Sequence, residues 1–92
     1  MLSKIAIDLD KVKKEDLDKE IVRTAVIAEL DAVNLYEQMA ALAKDTTIKT
    51  VLLDVAREEK EHVGEFQTLL LKMDEEQVEA MEEGRKEVEE LI

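Results

Sequence analysis

Arg57-Glu58-Glu59-Lys60-Glu61-His62 is the stretch on which the fold turns. Read outward from it in alternating steps of four and three, the sequence gives one row: Ile48, Leu52, Val55, Glu59, His62, Phe66, Leu69 and Met73. That spacing sets all of them on one face of a helix. Only Glu59 and His62 are polar; they are neighbours on the row, and His62 is the chain's single histidine. Enclosing a carboxylate and an imidazole without partners costs several kcal/mol or forces them neutral. Two such groups at i and i+3 can reach one common point, and a cation there would remove the cost.

The preceding half of the chain carries two adjacent apolar rows, predicting a first helix over residues 14–43. One is Ile21, Ala25, Ala28, Ala32, Leu35, Met39 and Leu42. The other is Val22, Val26, Glu29, Val33, Tyr36, Ala40 and Ala43. Asp16, Asp18 and Glu20 crowd its start, where the helix dipole favours negative charge. Glu29 is the lone carboxylate of its row, a local rule broken as functional sites break rules. The plain alternative is a glutamate at the stripe's margin that snorkels to water.

Lys44-Asp45-Thr46-Thr47 breaks the pattern, and Asp45 or Thr46 can cap a second helix over residues 46–73. So short a link makes the two helices antiparallel neighbours. An acidic row, Asp54, Glu58, Glu61 and Glu65, lies beside the apolar one and reads as a solvated face. Gly64 marks a place where a neighbouring backbone can come close. Asp74 and Gln77 form a capping pattern that opens a C-terminal helical segment over 74–92, with an interruption expected at Gly84. Residues 1–13 form a lead-in in which Leu2, Ile5, Ile7, Leu9 and Val12 can lie as an extended arm across a neighbouring surface. The fold class is all-α: an antiparallel hairpin plus a short C-terminal helix, forming one domain.

Composition sets limits on partners. The 92 residues carry 24 acidic and 13 basic side chains, a formal net charge of −11. That argues against nucleic acid and against an anionic membrane surface, both of which need a basic face. An acidic field concentrates cations, though solubility is the better explanation of the charge taken by itself. With no cysteine there is neither disulfide nor thiolate metal site, and the expected location is cytoplasmic.

Two long helices cannot bury two apolar stripes by themselves, so a homodimer forming a four-helix bundle is expected. Each chain brings one lone glutamate on its first helix and one Glu-x-x-His on its second; two chains bring the donor set of carboxylate di-iron and di-manganese bundles. Height along the hairpin agrees. Glu29 precedes the turn by about 15 residues and Glu59 and His62 follow it by about 14 to 16, so at 1.5 Å per residue they are nearly level. The donors suit iron, with manganese or zinc as substitutes, and the expected chemistry is oxidation of Fe(II) to Fe(III). Tyr36 stands along the same row, able to hydrogen-bond a ligand or donate an electron, or simply to fill the core. Other readings are a peroxidase-like di-metal oxidoreductase, disfavoured by the absence of Cys-x-x-Cys, and a non-enzymatic helical dimerisation or cargo module.

The stretches Glu29-Leu-Asp-Ala-Val-Asn-Leu-Tyr36 and Arg57-Glu-Glu-Lys-Glu-His62 resemble the encapsulated ferritins, half-length ferritin-like proteins held inside encapsulin nanocompartments. The likeness covers about residues 20–73 and is strongest to the ferritin-like segment fused ahead of the shell domain in archaeal encapsulins. It implies a ferroxidase centre across a dimer interface, with Glu29, Glu59 and His62 as ligands and Tyr36 beside them. It also implies assembly into a decameric ring, iron storage within an encapsulin shell, and a place in the shell's lumen. Asp31 matches the acidic position at which the family takes up metal. Ala28 and Leu35 depart from residues that some members carry.

Overall fold

A computed structural model describes residues 8–92 of the chain. Three α-helices follow one another: α1 (Leu17–Leu42), α2 (Thr46–Met73) and α3 (Glu75–Leu91). There is no strand among the described residues. The turn Ala43–Asp45 reverses the chain, so α1 and α2 run antiparallel as the short link requires. Asp45 caps α2, its carboxylate accepting the Ile48 N–H at 2.9 Å.

Four expectations need revision. Of the anticipated arm, Leu2, Ile5 and Ile7 lie outside the described residues. From Asp8 onward the backbone is turned rather than extended, with short 3-10 helices at Leu9–Lys11 and Lys14–Asp16. Asp8 starts the first by accepting from the Asp10 N–H at 3.2 Å, the local bonding through which aspartate competes with extended backbone. Regular α-helix accordingly begins at Leu17, not at residue 14. Gly84, expected to interrupt the last helix, lies within an unbroken α3. A glycine there costs only about 1 kcal/mol relative to alanine, and Arg85 clamps the segment by pairing with both Glu82 and Glu89. Gly64 meets no close backbone: nothing lies within 4 Å of where a Cβ would stand.

Between α1 and α2 the seam is narrow. Val22, Val33 and Ala40 from α1 meet Ala56 and Leu70 from α2, and among the described residues these are the buried apolar ones. The row holding Glu59 is far less covered, with Ile48 56% and Met73 47% exposed. A compact chain of this mass should expose about 5,400 Å²; this one exposes 7178 Å². Its radius of gyration is 16.3 Å, against about 12 Å for a compact domain of this length. The hairpin is a single layer with apolar surface on both sides.

α3 leaves the layer at Asp74. That carboxylate accepts the Gln77 N–H at 3.0 Å and pairs with Arg23 of α1 at 3.1 Å. The Gln77 bond first, and Arg23 with it, hold Asp74 below the usual carboxylate range. A depressed carboxylate stabilises above its unfolded pKa and loses that contribution as pH falls through the folded value. Amide exchange at Gln77 should therefore be several-fold faster in Asp74→Ala than in the parent protein. Asp74→Asn, which keeps an acceptor but loses the ion pair, should fall between. Lowering the pH through the Asp74 titration should bring the parent towards the variants.

Candidate metal centre

Glu29 is the thirteenth of 26 residues in α1, and Glu59 the fourteenth of 28 in α2. The midpoints of two antiparallel helices meet, so these carboxylates face each other at the hairpin's waist. His62, one turn past Glu59, joins them. Its Nδ1 lies 3.3 Å from Glu59 Oε2 and 3.4 Å from Glu29 Oε2. One ligand atom from each of the three residues lies within 4.8 Å of the other two, the spacing a single ion needs. The cluster is half-enclosed: the side chains of Glu29 and Glu59 are 21% and 18% exposed, that of His62 43%.

One atom in the cluster is anomalous. Glu29 Oε2 is shut off from water and, among the described residues, takes part in no well-formed hydrogen bond. A buried oxygen in that state costs about 1–3 kcal/mol, and a cation beside it would remove the cost. The electrostatics point the same way. Hydrogen bonding with Glu59 and burial push the Glu29 carboxyl up, while Glu59, accepting that bond, is held down. His62 is pushed up, chiefly by its hydrogen bond with Glu59. All three shifts come from crowding two carboxylates and an imidazole at one point. The donor set fits iron or manganese, and zinc as a substitute.

The other two residues singled out from the sequence stand apart. Tyr36 is half-buried on the same face of α1, about 10 Å along the helix from Glu29. Its hydroxyl has no hydrogen-bond partner among the described residues. Asp31, expected to collect metal from solvent, is only 7% exposed and sits about 200° round α1 from Glu29. The sequence also gave no sign that Nδ1, not Nε2, would face the carboxylates; among the described residues no acceptor meets Nε2. None of the described helices is long and apolar enough to cross a membrane.

Metal must displace protons from this cluster. Because His62 and Glu29 are both shifted up, Zn(II) titrated into metal-free protein at pH 6 should release more protons than at pH 8. The apparent affinity should rise over the same interval. Buffer-dependent calorimetry reads both, and His62→Ala should remove most of the pH dependence.

The chain is 60% identical over 78 residues to a ferritin-like–encapsulin shell fusion protein of Pyrococcus furiosus. That alignment takes in 85% of this chain and 22% of the relative, so the chain spans under a quarter of the relative's length. The crystal structure of an encapsulated ferritin domain from Pyrococcus furiosus superposes with a TM-score of 0.83 at 53% identity, covering 99% of this chain and 95% of that one. The profile of the EncFtn-like family matches residues 4–84. With its helical hairpin and its Glu29–Glu59–His62 cluster, the chain belongs to the EncFtn-like family, the encapsulated ferritins.

Proposed function

We propose that this chain is half of a ferroxidase, completed when a second copy packs against the face bearing Glu29, Glu59 and His62. The observation that carries the reading is Glu29 Oε2, a buried oxygen with no hydrogen bond among the described residues, on a face otherwise apolar and uncovered. Two copies related by a two-fold axis at the helix midpoints would bring four carboxylates and two imidazoles together. Iron held there would supply the redox chemistry, Fe(II) passing an electron to dioxygen and becoming Fe(III). The residues do the rest. Glu59, ionised, offers the negative charge that draws Fe(II) in. Glu29 and His62 bind as carboxylate and neutral imidazole. Val55 and Phe66, flanking the pair on its row, limit water once the faces close. Tyr36 is placed further along the same face to fill the bundle or pass an electron.

An open bundle has no cavity for mineral, so an enclosing shell is part of this reading. The fused shell segment of the Pyrococcus furiosus relative supports an encapsulin lumen within the cytoplasm as the working place. Family membership supports a ring of dimers, a decamer, as the assembled form, and iron storage as the purpose.

Fe(II) added anaerobically and then exposed to air should be oxidised, with growth of near-ultraviolet absorbance. Glu59→Ala and His62→Ala should each slow that growth by roughly a hundredfold, while Thr68→Ala, on the exposed face, should leave it unchanged. Rates in the two ligand variants equal to the parent's would sink the assignment.

A further inference from the structure

Sulfur is distributed unevenly over this chain. The methionines of the described residues are Met39, Met73 and Met81. Met73 closes the row of Glu59 and His62, about 40° round α2 from Glu59. Met39 belongs to the row of Ile21, Ala25 and Ala32, which borders Glu29 on α1. Both therefore lie on the metal face. Because the helices are antiparallel, they stand on opposite sides of the cluster. Met39 is about 15 Å from Glu29 towards the turn, and Met73 about 17 Å from His62 towards α3. Met81 is elsewhere. It lines a groove with Leu71 and Val78, and Leu71 lies about 120° round α2 from Glu59, turned away from the cluster.

A thioether fills irregular gaps in apolar contacts, and that alone could account for all three. Their exposure does not separate them either: Met39, Met73 and Met81 are 36%, 47% and 42% exposed. An oxidant arriving from bulk solvent would attack them about equally. An oxidant arising at the cluster would not, because the metal face leads to Met39 in one direction and to Met73 in the other.

We propose that Met39 and Met73 are oxidation sites that intercept hydrogen peroxide leaving the metal face, an inference that rests on the ferroxidase reading above. Dioxygen that takes one electron from each of two Fe(II) substrate ions, and two protons from water, becomes hydrogen peroxide. The sulfur of Met39 or Met73 attacks one peroxide oxygen, and the O–O bond breaks. The second oxygen leaves as hydroxide, takes up the proton of the first and becomes water. Sulfur is thereby oxidised to the sulfoxide and peroxide is reduced. The sulfoxide is polar where the thioether was apolar, so turnover with uncleared peroxide makes the metal face progressively more polar.

Peptide mass spectrometry tests this after a few additions of Fe(II) in air, with catalase in the bulk to destroy escaped peroxide. The sequence has no cysteine to compete for the oxidant. Sulfoxide at Met39 and Met73 should exceed that at Met81 several-fold, and Glu59→Ala should abolish the excess. Chelator-treated protein given hydrogen peroxide should show no excess at Met39 and Met73 over Met81. Met39→Leu/Met73→Leu keeps the face apolar and should match the parent in helix content by circular dichroism and in initial Fe(II) oxidation. Without catalase it should release more peroxide over the first turnovers, read by a peroxidase-coupled dye. Normal growth of Fe(III) absorbance with no excess of sulfoxide at Met39 and Met73 would overturn this inference and leave the ferroxidase reading standing. An equal excess in the chelator-treated protein would also overturn it, since the bias would then belong to the side chains and not to the source of the oxidant. No growth of Fe(III) absorbance would end both.

Discussion

A glutamate oxygen that water cannot reach, set against a second carboxylate and an imidazole nitrogen, governs the rest of this molecule. Brought this close, Glu29 and Glu59 repel when both are ionised, and the upward shifts of Glu29 and His62 are the response to that crowding. Such an arrangement is tolerated because the surrounding helices are otherwise undemanding. α1 and α2 need only a narrow seam of Val22, Val33, Ala40, Ala56 and Leu70 to stay paired. The antiparallel hairpin then fixes the three donors at one height, because each glutamate lies at the middle of its own helix. Fold and site are the same fact seen at two scales.

A single layer of two helices has two faces and cannot cover either. This is the physical reason that so many large apolar side chains, Ile21 and Leu69 on one side and Leu30 and Leu53 on the other, remain exposed in the isolated chain. A larger protein would fold a second hairpin over the first within one polypeptide. Whatever covers the metal face lies outside these residues, and on the reading proposed above it is a second copy. The acidic α3, tethered by Asp74 to Arg23 and to its own first turn, projects from the layer and adds surface without adding core.

Much of this was legible in the residues themselves. Helical periodicity converts directly into faces, so the row through Glu59 and His62, the row through Glu29 and the caps at Asp45 and Asp74 could all be read in advance. Level placement of the three donors followed from counting residues to the turn. What escaped depends on contacts distant in sequence or on small energy differences. Arg23 and Asp74 are 51 residues apart, and no local pattern announces their pairing. Gly84 looked like a break because a glycine disfavours helix, yet a cost of about 1 kcal/mol is too small to interrupt a helix capped by Asp74 and paired across the glycine by Arg85. The conformation of Asp8–Asp16 was decided by a few local hydrogen bonds that compete with extended backbone.

The central claim is that each chain holds half of a coordination sphere and a second copy completes it. Anomalous X-ray diffraction at the iron edge, from crystals grown with Fe(II), tests this most directly. The account predicts iron between two copies, bound by Glu29, Glu59 and His62 of both. Iron held by one chain alone, or lying away from all three side chains, would contradict it.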